Sequence, residues 1–165
     1  MHKQALVVCI MLLIGWGAHA GYAELSSIMG NDQAPLGNPS KSGTEHPSPS
    51  DWIKESQIRV YNHDVILDIQ NGIFTSYADT NSMDPLLDET ANGIEIHPIK
   101  SKLKVGDIIS YRSSLVNAVI IHRITTIGED TQGTYYIVKG DNNNERDPEK
   151  VRFEQIEGVV VALIY

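Results

Sequence analysis

Three stretches of the sequence carry side chains that could together perform acyl transfer, namely residues 79–85, 119–124 and 139–147. A serine hydroxyl is a weak nucleophile and needs a neighbouring base to take its proton. Ser82, in Asp-Thr-Asn-Ser-Met-Asp-Pro, is the candidate nucleophile. His122, in Val-Ile-Ile-His-Arg-Ile, is the candidate base, because imidazole titrates near neutrality. Pro85 fixes its own φ and restricts the residue before it, which predicts a rigid corner after the hydroxyl.

The third stretch, Lys-Gly-Asp-Asn-Asn-Asn-Glu-Arg-Asp, contains the carboxylates of Asp141 and Asp147. One of them could orient a histidine base and stabilise its imidazolium, as the third member of a catalytic triad does. Each stretch also has an interpretation without catalysis. Ser82 could be a turn residue, His122 a core residue of a buried strand, and the Asn-rich loop a polar turn or, with less suitable spacing, a calcium site.

These three motifs, in this order, resemble those of type I signal peptidases (peptidase family S26). The similarity is greater to the archaeal and endoplasmic-reticulum branch, in which histidine replaces lysine as the base. The resemblance extends over about residues 58–165 and implies Ser82 as nucleophile and His122 as base. It implies that Asp147, or else Asp141, orients the histidine. It also implies an oxyanion site formed by the backbone N–H of Ser82 and the hydroxyl of Thr80.

The resemblance implies a serine endopeptidase that cleaves signal peptides, or similar extended segments, after small residues and without a cofactor or metal. Its partners would be an extended peptide or preprotein and a membrane, and the need for other subunits stays open. One departure is that Gly106-Asp107, a pair that relatives place soon after the serine, here follows an added segment, residues 88–104. The alternative function is a catalytically inactive exported β domain that binds peptides or a partner's strand.

The N-terminal residues predict export. Residues 1–23 combine a basic start, an apolar run and the small-x-small pattern Ala18-His19-Ala20, which fits a signal peptide or an N-terminal membrane anchor. The positive-inside bias then places the rest of the chain on the outer face of the cell membrane, or outside the cell if cleavage occurs near Ala20. The only cysteine, Cys9, lies in the apolar run, so no intrachain disulfide can form.

Composition and periodicity predict a linker followed by a mainly β domain. Residues 24–51 are rich in Gly, Pro and Ser and lack apolar periodicity, which favours a flexible linker. Residues 52–165 contain short apolar or alternating runs typical of strands, a hairpin signal at Asn71-Gly72, and a short helix or turn near 83–87. We therefore expect a partly closed antiparallel β domain with little helix. The net charge of -8 argues against a nucleic-acid partner.

Overall fold

Eight β-strands provide most of the regular structure in residues 45–165, which are those that the computed structural model describes. They are β1 (Ile58–Val60), β2 (Val65–Leu67), β3 (Ile73–Ser76), β4 (Asn92–Ile96), β5 (Ile108–Arg112), β6 (Val119–Asp130), β7 (Gly133–Lys139) and β8 (Ile156–Ile164). Three single 3₁₀ turns complete the set, at Glu55–Gln57, Lys100–Lys102 and Phe153–Gln155. The prediction of a mainly β fold with little helix is confirmed, because no helix in this described range reaches seven residues.

The N-terminal predictions fall largely outside this part of the chain. The expected signal peptide or anchor, residues 1–23, and most of the expected linker lie outside the described residues. From Glu45 onward the chain belongs to one compact unit that ends at Tyr165, so this unit includes the last residues of the predicted linker. Within residues 45–165 no helix is long and apolar enough to cross a membrane.

The strands form two antiparallel sheets. β1 and β2 make a small two-stranded sheet, and the other six strands are arranged in the order β3-β4-β8-β5-β6-β7. β8 pairs with β4 on one side and with β5 on the other. Its sequence, Ile-Glu-Gly-Val-Val-Val-Ala-Leu-Ile, is almost entirely apolar, as expected for a strand covered on both faces. The added segment 88–104 supplies β4, which joins β3 to the rest of the sheet.

The hairpin expected at Asn71-Gly72 is wrong. Asn71 does adopt a left-handed conformation, with φ of 56°, as a turn residue can. However, the strand before the turn, β2, pairs with β1, and the strand after it, β3, pairs with β4. The turn therefore connects two sheets, because a local turn signal determines a change of direction and not the partner of each strand.

Apolar side chains on opposite faces of the six-stranded sheet form two clusters. Alternation along the strands assigns Ile109 and Ile124 to one cluster and Ile108 and Ile121 to the other. The second cluster also contains Met83, the residue directly after the candidate nucleophile. The sheet therefore anchors the Ser82 segment by packing a neighbouring side chain.

Candidate active site

A cavity of about 570 Å³ brings together three of the residues singled out in the sequence. Ser82, His122 and Thr80 all line it. The remaining lining comes from β3 and its following loop, from the first residues of β6, and from two apolar side chains of the second cluster: Thr75, Ser76, Tyr77, Ala78, Met83, Leu87, Val119, Ile120 and Ile121. The candidate nucleophile and the candidate base therefore face one shared space.

The turn that carries Ser82 is held by the loop that follows β7. Asn81 has φ of 56°, a left-handed conformation that asparagine tolerates better than most residues. The Asn142 backbone N–H donates to the Ser82 carbonyl at 3.0 Å, and its side-chain Nδ2 donates to the Asn81 carbonyl at 2.9 Å. A Cβ on Gly140 would lie 2.5 Å from the Ser82 carbonyl, so only glycine permits this approach. The Asn-rich loop thus fixes the backbone on both sides of the candidate nucleophile.

His122 is held by Asp147 in a buried pair. Each side chain is less than a tenth exposed, and the His122 Nδ1 lies 2.9 Å and 2.7 Å from the two carboxylate oxygens of Asp147. An ionised carboxylate only accepts hydrogen bonds, so it favours the tautomer with a proton on Nδ1. That tautomer leaves Nε2 free to accept a proton.

Tyr111 supports the same carboxylate. Its hydroxyl donates to Asp147 Oδ2 at 2.5 Å. Burial, followed by the hydrogen bond and charge of Asp147, raises the pKa of Tyr111 well above its ordinary value. The phenol therefore remains a donor throughout the neutral range and fixes the position of the carboxylate relative to His122. No motif in the sequence marks Tyr111. Tyr111 lies on the same face of the sheet as Ile109, and Ile109 is the cross-strand partner of His122. This pairing depends on the strand register, which the sequence does not show.

Asp141 contacts Arg123 and not His122. Arg123 Nε and Nη2 donate to the two Asp141 oxygens at 2.7 Å and 2.6 Å, which is a bidentate pair. The Asp141 backbone N–H also points at the Met83 sulfur, at 3.4 Å. Of the two carboxylates suggested by the sequence, Asp147 thus lies where it can orient the histidine, and Asp141 braces the loop beside Ser82.

The Ser82 hydroxyl lies 3.1 Å from the Thr80 hydroxyl. Among the described residues, no hydrogen bond joins Ser82 Oγ to the His122 ring, and none occupies the Ser82 backbone N–H. The two candidate catalytic side chains share a cavity without a direct hydrogen bond. Catalytic hydrogen bonds are often absent or long before substrate binds and tighten only in the complex.

Metal chemistry receives no support from side-chain clustering. In residues 45–165, no group of three or more His, Cys, Asp or Glu side chains is placed to hold a metal ion. Two of the three acidic residues of the loop considered as a calcium site, Asp141 and Asp147, are each paired with a basic side chain on β6.

Comparison of the chain with protein-family models, curated proteins and solved structures finds no match in any of the three. The site consists of a serine and a histidine that line one cavity and a carboxylate that contacts the histidine Nδ1.

Proposed function

We propose that this protein is a serine endopeptidase that acts on extended peptide segments. The observation that carries the proposal is that Ser82 and His122 line one cavity while Asp147 holds the Nδ1 nitrogen of the imidazole. Such constellations are recognised by geometry and by the roles of the groups, whatever the fold. The resemblance of the three motifs to type I signal peptidases points to the same chemistry.

In the proposed reaction, Ser82 Oγ attacks the carbonyl carbon of the peptide bond, and His122 Nε2 takes the hydroxyl proton. Asp147 stabilises the imidazolium that results, and Tyr111 keeps the carboxylate in position. The proton then passes to the leaving amine as the C–N bond breaks, which leaves an ester on Ser82. Water, deprotonated by the same imidazole, hydrolyses the ester and regenerates the serine.

Two donors are suited to the oxyanion that develops during attack. The Ser82 backbone N–H has no partner among the described residues, and the Thr80 hydroxyl lies 3.1 Å from Ser82 Oγ. A hydroxyl that can rotate toward the developing charge would stabilise the transition state more than the ground state, which is the requirement for catalysis.

An open strand edge beside the cavity supports an extended peptide as substrate. Residues 119–122 of β6 pair with β5 on one side, whereas β7 pairs with β6 only from Arg123 onward. In the described part of the chain, the other edge of residues 119–122 therefore has no strand neighbour, and a peptide could add there by main-chain pairing. The predicted N-terminal anchor or signal peptide would place this reaction on the outer face of the membrane and favours signal-type segments with small residues as substrates.

A peptide-binding domain without catalysis is the second candidate. The absence of a hydrogen bond between Ser82 and His122 within residues 45–165 favours it, and the same open edge would hold the peptide. This candidate predicts that peptide binding survives any change of Ser82 and that no product forms.

The test uses the full-length protein in detergent and a peptide with alanines at the first and third positions before the expected cleavage site. Mass spectrometry of the products should show cleavage by the wild type, and Ser82→Ala should lower kcat by about three orders of magnitude or more. The matched control is Ser114→Ala, which removes an exposed hydroxyl bonded to Glu149 and should cleave like the wild type. Equal turnover by Ser82→Ala, or peptide binding with no turnover by the wild type, would reject the proposal.

A further inference from the structure

Residues 46–50, called the strap below, run in irregular conformation just before the strands and are fixed by main-chain contacts. The Pro47 carbonyl accepts from Arg123 Nη1 at 3.0 Å. The Ser50 N–H donates to Asp107 Oδ1 at 2.7 Å. Backbone atoms make both of these contacts, and one side chain of the strap adds another, because the His46 Nδ1 lies 3.8 Å from Asp141 Oδ1.

Gly106 and Asp107 form the surface on which the strap lies. Gly106 has φ of 104°, and a Cβ there would come within 2.2 Å of the Ser48 carbonyl, so the approach requires glycine. Asp107 is fully buried, and its second oxygen accepts from the Lys104 N–H at 2.9 Å. A buried carboxylate must be hydrogen-bonded, and the strap supplies one of its donors.

A continuous series of contacts connects the strap to Ser82. Arg123 joins the Pro47 and Gly106 carbonyls to the carboxylate of Asp141. From Asp141 the loop continues directly to Asn142, whose N–H binds the Ser82 carbonyl. Arg123 is buried, so displacing the strap would remove a hydrogen bond that it cannot replace with water at low cost.

We propose that the strap is a positioning element for the candidate nucleophile, acting through Arg123, Asp141 and Asn142. This inference rests on the proposed peptidase function and extends it. The chain that leads from the export segment into the domain would then be part of the support of the active site. A displacement of roughly 1 Å in a positioned catalytic group can cost up to about 10²-fold in rate, so loosening the strap should reduce turnover without removing any reacting group.

Ser50→Pro in the full-length protein tests the proposal, because proline removes the N–H that binds Asp107. Ser50→Ala is the matched control, since it also loses the hydroxyl but keeps the N–H. We expect Ser50→Pro to lower kcat about tenfold with KM changed less than about twofold. We also expect amide hydrogen exchange at Asn142 to become about tenfold faster or more. Both quantities should stay within about twofold of wild type in Ser50→Ala.

The exchange of the Asn142 amide separates this proposal from the peptidase proposal. If Ser50→Pro accelerates exchange in the strap but leaves kcat and Asn142 exchange unchanged, the positioning role is refuted. If the wild type cleaves no peptide, the peptidase proposal fails through the Ser82→Ala experiment. In that case the positioning role is tested only by hydrogen exchange of the Asn142 amide in Ser50→Pro. Faster exchange supports the role, and unchanged exchange rejects it. If Ser50→Pro does not unfold cooperatively, Asp107→Asn is measured in its place, with the same two readouts and the same criteria.

Discussion

Two neighbouring residues of β6, His122 and Arg123, face opposite sides of the sheet, and each pairs with a carboxylate from the loop after β7. In both pairs the side chains are less than a tenth exposed. Arg123 uses Nε, Nη1 and Nη2 on Asp141, Pro47 and Gly106, so its hydrogen bonds all serve the structure. Among the described residues, His122 forms side-chain hydrogen bonds through Nδ1 alone, and it lines a cavity. Under the proposed function, similar burial and pairing would serve chemistry at one position and support at the next.

The largest difference between the two pairs should be in catalysis. Asp147→Asn replaces an acceptor with an amide that favours the wrong tautomer of His122, and we expect kcat to fall by about 10³-fold or more while the protein remains folded. Peptide cleavage and thermal unfolding measure the two effects. Asp64→Asn, at an exposed turn position, is the control and should leave both unchanged. A full loss of folding in Asp147→Asn, or unchanged turnover, would remove the distinction drawn between the two pairs.

The second largest effect should be on the free energy of unfolding, at the Arg123–Asp141 pair. Arg123→Met leaves Asp141 buried without its cation, and urea unfolding should show a loss of about 3–5 kcal/mol. Arg112→Met is the matched control, because Arg112 forms an exposed pair with Glu157 on the neighbouring strand and should cost no more than about 1 kcal/mol. Adding Asp141→Asn to Arg123→Met should recover part of the loss. Equal losses of unfolding free energy in Arg123→Met and Arg112→Met would show that burial does not make the Arg123–Asp141 pair more important for stability.

Another buried carboxylate, Glu95, sharpens the comparison because no cation pairs with it among the described residues. Its Oε2 accepts from the Ser110 hydroxyl at 2.5 Å, and its Oε1 has no partner among the described residues. Burial, more than the nearby charge of Glu157, raises the pKa of Glu95 above its ordinary value. The folded state therefore holds this proton more tightly than the unfolded state. Stability is lost as the pH rises from about 4.5, the ordinary value, through the raised pKa of the folded state.

Glu95→Gln should remove this pH dependence and stabilise the protein at neutral pH by on the order of 1 kcal/mol, with little gain at pH 4. Urea unfolding at a series of pH values measures both effects. Glu154→Gln, at an exposed position, is the control and should keep the wild-type dependence of unfolding free energy on pH. An unchanged slope in Glu95→Gln would mean that this carboxylate is ionised in the folded protein at little cost.

Much of the sheet could be predicted from the sequence because strand formation is encoded locally. The β-branched run around His122 predicts the first half of β6, and the apolar run 159–165 predicts most of β8. Alternation puts His122 on the same face as Ile124, and the structure pairs His122 with Ile109, which packs in the same cluster as Ile124. The three-residue strand β1 and the partner of β2 were missed, because a short exposed strand has no buried face to give it a pattern.

Less of the candidate site could be predicted from the sequence, because the contacts that hold it join residues far apart along the chain. Ser82, His122 and Asp147 were selected through motifs, and their catalytic roles remain predictions. Tyr111 binds a residue 36 positions away, and the strap carbonyl of Pro47 binds one 76 positions away. Contacts of this kind depend on strand register and on the path of an irregular segment, neither of which leaves a periodic signal in the sequence.

The position of β8 in the sheet has a consequence for synthesis. Ser82 lies in the connection between β3 and β4, His122 lies on β6, and the main-chain ladder between these two parts of the sheet runs through residues 156–164. While the ribosome has yet to release those residues, the six-stranded sheet exists only as the β3-β4 hairpin and the separate β5-β6-β7 meander, beside the two-stranded β1-β2 sheet. Translation must therefore reach β8 before the sheet joins the two halves of the cavity, and a chain stopped earlier would expose two unpaired strand edges to aggregation.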